Sequence, residues 1–214
     1  MTHGRLHSLT DGIFAIVMTL LVLELKVPSF IHPSNHDVWH VIASQYTILL
    51  SYFISFTTLF VYWRAHNFVV TVLAKNIDVN VLTINGIFLF LVGLIPFTTQ
   101  LAGSYSSSPI ALSFYALNII LIGSTLLFMR GYIEKSEKID NLERTLEQRQ
   151  GAFIRTMLPL SFAAISIPLS FISTKLAFSM LIFGVLFNLY NNAADLTRKV
   201  VLRPMRNLFT RAIN

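Results

Sequence analysis

The sequence predicts an all-α integral membrane protein with six transmembrane helices and both termini in the cytoplasm, folded as a single domain over residues 1–214. Three observations predict it. Hydrophobic residues make up 54% of the chain and charged residues only 12%, about half the charged share of an average soluble domain. So short a chain cannot cover that much apolar surface with so few polar groups, whereas a bilayer solvates it. Six stretches also approach or exceed the roughly 20 mostly apolar residues needed to cross the hydrocarbon core. Finally, the 16 Lys and Arg residues are distributed unevenly between the two sides that those stretches define.

The six stretches are about Ser8–Val27, Val38–Trp63, Val79–Ala102, Pro109–Arg130, Phe153–Ser173 and Leu176–Ala194. Pro28 follows the first, and Pro33, Ser34 and Asn35 separate it from the second. Gly103–Pro109 reads as a polar hairpin loop between the third and fourth, and Ser173–Lys175 as a tighter turn between the last two. Pro96, Pro159 and Pro168 fall inside helices and predict kinks. The first stretch carries Asp11 and Glu24 with no small-residue cleavage site behind it, so it is expected to stay in the mature protein rather than act as a signal peptide. With the N-terminus inside, only Lys26 and Lys175 fall on the outer side, and this positive-inside bias sets the orientation.

The segment 132–150 is polar, with Glu134/Lys138 and Asp140/Arg144 spaced i, i+4. It reads as a solvated cytoplasmic extension of the fourth or fifth helix. The basic tail 197–214 carries Leu202, Met205, Leu208 and Phe209 and suits an amphipathic helix on the membrane surface. The formal net charge of +6 does not point to nucleic acid, because the basic segments lack interleaved aromatics. An anionic cytoplasmic leaflet accounts for it, each juxtamembrane cation being worth about 1 kcal/mol there. Absence of cysteine excludes disulfides and thiol chemistry. No serine–histidine–acid set or paired carboxylates converge in the helices, so an enzyme is not expected and no metal or other cofactor is implied.

The informative segment is Arg5 to Glu24. Asp11 stands about one turn inside an apolar helix, where a carboxylate is costly unless paired or wet. Arg5, Arg64 and His66 are candidate partners, and a helix-end position is the alternative. Ile16, Leu20 and Leu23 share one face at i, i+4 and i+7, with Thr19 beside them as the only hydroxyl deep in the helix. Periodicity alone makes this stripe a packing seam. His32, His36 and His40 recur every four residues, with Ser34 and Asp37 as a capping box. That spacing suits a zinc pair or an outer pH sensor, or a wet loop with incidental imidazoles. His3 and His7 repeat it on the inner side. Trp39 and Tyr132 read as interfacial belt residues.

These residues carry a resemblance. Arg5, Leu9-Thr10-Asp11-Gly12, Phe14-Ala15-Ile16 and Thr19-Leu20-Leu21-Val22-Leu23-Glu24 resemble the signature of the transmembrane protein 175 family. Those potassium-permeable channels occur in bacteria and endolysosomal membranes. Leu9 replaces the usual Phe and Thr10 the usual Ser. Trp63 and His66 resemble the family's Trp-x-x-His element. Asn85, Phe88-Leu89 and Pro96-Phe97-Thr98-Thr99 resemble its third-helix pattern. The likeness covers residues 5–100; over 101–214 it is architectural.

The resemblance implies a homotetramer whose first helices line a central pore without a re-entrant filter. Ile16, Leu20 and Leu23 would line it, with Ile16 at the narrowest ring and Thr19 as a polar layer. Arg5, Thr10, Asp11, Trp63 and His66 would form the polar network holding that helix. Potassium and other monovalent cations would be the permeant species, in a bacterial-type plasma membrane. A proton leak and modest selectivity are expected. The competing expectations are an ion- or proton-coupled transporter using Asp11, and a scaffold without a pore.

Overall fold

The computed structural model describes residues 3–25, 34–73, 77–136 and 146–190. The described residues are helical apart from short connections, with no strand among them. Eight α-helices follow in order: α1 His3–Leu20, α2 Asn35–Ser44, α3 Tyr46–Asn67, α4 Val79–Gly93, α5 Ile95–Ser104, α6 Pro109–Lys135, α7 Leu146–Ile172 and α8 Thr174–Leu189. A tight 3-10 turn, Leu21–Glu24, closes α1, and a π-helical turn, Phe68–Leu73, closes α3.

Five spans are long and apolar enough to cross a membrane: Gly4–Glu24, Tyr46–Thr71, Val79–Ser104, Pro109–Lys135 and Gln150–Ile172. The sixth expected span is represented by α8, whose 16 residues reach only about 24 Å at 1.5 Å per residue. Its expected end, 191–194, lies outside the described residues, as do Lys26, Pro28, His32, Pro33, the middle of the polar segment (137–145) and the tail 197–214.

The second expected helix is two. Its chain breaks at Gln45, whose φ of −93° and ψ of 7° leave the helical range, and α2 stands apart with Val38, Trp39 and Ile42 exposed. The third expected helix is also divided. Pro96 sits in the first turn of α5, just past the break at Leu94, as expected of a residue that lacks an amide hydrogen and crowds the preceding turn.

The other two prolines differ. α7 runs as one helix through Pro159 and Pro168. Pro159 cannot donate to the Arg155 carbonyl four residues back, and the Asn188 side chain of α8 supplies that bond instead at 2.7 Å. In hydrocarbon such a substitute matters, since no water satisfies the orphaned acceptor.

Helix starts follow ordinary capping chemistry. Asp78 accepts from the Val81 amide at 2.9 Å, and Ser108 and Ser173 cap α6 and α8 in the same way. Tyr132 is more than a belt residue. Its hydroxyl donates to Asp78 and accepts from Asn80, pinning the end of α6 to the start of α4.

The core runs down the bundle through Ile54, Leu59, Tyr62, Phe88, Leu112, Tyr115, Ile119 and Leu126, all buried. Small residues let helices approach closely, as is usual between membrane helices. A Cβ on Gly103 would meet the Ile48 backbone at 3.0 Å, and one on Gly184 would meet Phe162 at 2.5 Å. Between these contacts α3 carries hydroxyls inward. Ser55 hydrogen-bonds to both Thr99 (2.6 Å) and Tyr115 (2.8 Å), and Tyr62 donates to the Ile119 carbonyl at 3.0 Å.

Candidate permeation helix and its polar anchor

Helix α1 and the 3-10 turn Leu21–Glu24 that closes it have two faces of different fate. Leu6, Thr10, Phe14, Val17 and Leu21 are buried, and their three-and-four spacing makes one continuous stripe. That stripe packs against α3, α4 and α5, with Phe14 and Phe88 5.9 Å apart between ring centres. The other face leaves the subunit bare. Ile16 is 58% exposed, Leu20 42% and Leu23 67%, and Ser8, Gly12, Ala15 and Thr19 are exposed with them. Within the chain this stripe is therefore not a packing seam.

Thr19 has a defined donor. Its hydroxyl bonds back to the Ile16 carbonyl at 2.8 Å and the Ala15 carbonyl at 3.0 Å. A hydroxyl whose hydrogen is spent on its own helix turns lone pairs outward, and at an exposed position those lone pairs are offered to whatever lies beyond α1.

The polar anchor lies on the flank of α1. Asp11 is half-buried, and both of its oxygens are engaged: Oδ1 accepts from Trp63 Nε1 at 2.8 Å, and Oδ2 pairs with His7 Nδ1 at 2.8 Å. Trp63 belongs to the expected network, whereas Arg5, Arg64 and His66, the partners expected for the charge, do not hold it. Six residues of helix carry Arg5 to another face, where it is exposed and forms no ion pair with Asp11. His7, four residues back, lies on the same face. Arg64 is exposed as well.

His66 belongs to a second, deeper cluster. Its Nε2 meets Asn85 Oδ1 at 2.7 Å, the Asn85 amide donates to Thr10 Oγ1 at 3.3 Å, and Thr10 donates to the Leu6 carbonyl at 3.0 Å. The carbonyl of Asn85 accepts only, which places a hydrogen on His66 Nε2. The imidazole also stacks on Phe88, with centres 5.1 Å apart.

Four of the five residues expected in the polar network are thus found between α1, α3 and α4, in two clusters rather than one. Arg5 is outside them. Two members were not among the expected site residues. His7 was available from its i, i+4 relation to Asp11. Asn85 appeared only as a motif position, and nothing in its local sequence reveals that it bridges two helices.

Comparisons with known proteins bear on the family of the chain. The family model described as endosomal/lysosomal potassium channel TMEM175 matches residues 5–96, the part of the chain that holds α1 and both clusters. A potassium channel of Chamaesiphon minutus is 30% identical over 199 residues, covering 89% of this chain and 95% of that protein. A potassium channel of Streptomyces collinus is 30% identical over 129 residues, which is 58% of this chain and spans 60% of that protein's length. The crystal structure of a lysosomal potassium-selective channel TMEM175 homologue from Chamaesiphon minutus shares the fold, with a TM-score of 0.72 at 24% identity over 87% of this chain and 95% of that one. With its first helix matched by the family model and nearly its whole length matched by a curated relative, the chain belongs to the TMEM175 family of potassium channels.

Proposed function

We propose that the chain is one subunit of a homotetrameric, potassium-permeable cation channel whose central pore is lined by α1 from each copy. The observation that carries this reading is the bare aliphatic face of α1. A helix whose opposite side is fully packed, yet which leaves Ile16 and Leu23 more than half exposed, has a surface suited to other copies or to a shared axis. One such helix cannot enclose a path, whereas a ring of four related by closed rotational symmetry can.

In that ring Ile16 forms the narrowest point, with Leu20 and Leu23 continuing the lining. The sequence holds no TVGYG-like segment, so a cage of backbone carbonyls is not the filter. An apolar constriction resists ions by dewetting and must widen to conduct. Potassium, which sheds water more readily than sodium, crosses more easily, aided by the outward lone pairs of Thr19. Selectivity on this basis is modest, and protons leak through the same path. The two clusters around Asp11 and His66 hold α1 at fixed depth. Six crossings of a plasma membrane with both termini inside complete the reading, with the positive-inside bias as its support.

The test is electrical. Protein reconstituted in a planar bilayer between unequal potassium solutions should give unitary currents reversing near the potassium equilibrium potential. Saturable, ion-coupled flux without unitary steps would overturn the channel and mark a transporter instead. Asp11 has both oxygens engaged, an arrangement better suited to anchoring than to carrying a proton back and forth.

A further inference from the structure

Away from the pore helix, α2 presents two unclaimed imidazoles. His36 and His40 lie one turn apart on an exposed helix, with ring centres 4.5 Å apart and ring planes at 67°. Both side chains are exposed, and neither hydrogen-bonds or ion-pairs with a described residue. His7, at the same spacing from His3, differs, since its Nδ1 is committed to Asp11.

We infer that His36 and His40 form a two-imidazole chelate for a borderline divalent transition-metal ion on the side of the molecule where α3 begins. Geometry supports the pair. A metal about 2.0–2.1 Å from a ring nitrogen lies about 3.2 Å from the ring centre. Two such rings with centres 4.5 Å apart subtend about 90° at the metal, the angle between adjacent ligands in square-planar or octahedral sites. The separation is therefore compatible with Cu2+ or Ni2+ once one nitrogen of each exposed ring turns toward the shared ion. A tetrahedral Zn2+ needs the ring centres at about 5.2 Å, an adjustment within reach of exposed side chains.

Chemistry sets the class of ion. Neutral imidazole is a good ligand for Cu2+, Ni2+ and Zn2+ and a poor one for Mg2+ and Ca2+, which take oxygen. Water completes the coordination. α2 is a ten-residue helix, so the i, i+4 register sets both rings on one side of it. The site stands apart from the α1 face and does not depend on the pore reading.

The experiment uses the full-length chain, purified without a polyhistidine tag and titrated with Cu2+ in detergent. Binding is followed by calorimetry and by electron paramagnetic resonance, in which each coordinated imidazole contributes nitrogen hyperfine structure. The expected result is a saturable site with two equatorial nitrogens that is present in the wild type and missing from the H36A/H40A double variant. His36→Ala and His40→Ala should each weaken it at least tenfold, and excess Mg2+ should not displace the metal. Because both side chains are exposed, neither substitution should change the elution profile. A site of undiminished affinity in the H36A/H40A double variant overturns the proposal. So does a single-nitrogen signature, or loss through only one of the two histidines. Absence of saturable binding overturns it too.

Discussion

The Trp63 indole donates to Asp11 Oδ1 across 2.8 Å, so the carboxylate of α1 is gripped by the C-terminal third of α3. With His7 on the other oxygen, the charge is met from both sides and the depth of α1 is fixed relative to its neighbour.

Replacing Asp11 by Ala should therefore leave two donors without an acceptor. A loss of about 1–3 kcal/mol is expected from this kind of deletion, read as a lower melting temperature and a smaller tetramer fraction on gel filtration. Trp63→Phe should cost less, because the ring keeps its contact with Phe60 at 5.8 Å and only the N–H bond goes. The double variant should show coupling between the two positions. Unaltered assembly and current in Asp11→Ala would reject the anchor.

Ile16→Asn should wet the constriction, raising unitary conductance and moving the bi-ionic reversal potential toward equal potassium and sodium permeability. Since Ile16 is exposed within the subunit, the folded monomer should change by no more than about 0.5 kcal/mol. A wild-type conductance and selectivity would remove Ile16 from the pore. Thr19→Val, which deletes the outward lone pairs but keeps the shape, should erode potassium preference without enlarging the current.

Two glycines should respond oppositely to alanine. A Cβ on Gly184 would lie 2.5 Å from the Phe162 ring, so Gly184→Ala should separate α7 from α8 at a cost of about 1–3 kcal/mol. A Cβ on Gly12 meets nothing within 4 Å, and Gly12→Ala should favour the isolated helix by up to about 1 kcal/mol. Thermal melts of both variants in one detergent check the contrast. A loss in Gly12→Ala that appears only in the assembled protein would locate a neighbouring copy at that face.

Asn188 offers the fourth test. Its bond to the Arg155 carbonyl matters because Pro159 cannot make it, so Asn188→Leu should cost about 0.6 kcal/mol and at most about 1.7, the range for such bonds in membranes. In a Pro159→Ala background the helix can satisfy its own carbonyl, and the same substitution should become nearly neutral. Equal effects in both backgrounds would contradict this pairing.

The elements legible in the sequence were those with a local chemical signal. Ser108 and Pro109 marked the start of α6, Ser173 the turn into α8, and Pro96 the break before α5. The break at Gln45 carried no such mark, because neither glycine nor proline stands there and apolar residues continue on both sides. The continuity of α7 through Pro159 was equally hidden, since the compensating donor, Asn188, is 33 residues from the Arg155 carbonyl it satisfies. The site shows the same division. The face holding Ile16 and Leu20 follows from periodicity within one helix, whereas Leu23, expected on the same α-helical face, lies past its end in the 3-10 turn. The partners of Asp11 and His66 depend on which neighbouring helices dock there, and Trp63 is 52 residues from the carboxylate it binds.

The two sides of α1 also tolerate replacement differently. Changes at Leu6, Phe14 or Leu21 strike groups packed inside the subunit, so they are expected to be read first as lost folding. Changes at Ile16 or Leu23 leave that packing intact, and on the proposed reading they act only where copies surround the ion path. The conduction properties of the proposed channel should therefore be open to redesign without rebuilding the scaffold that holds it.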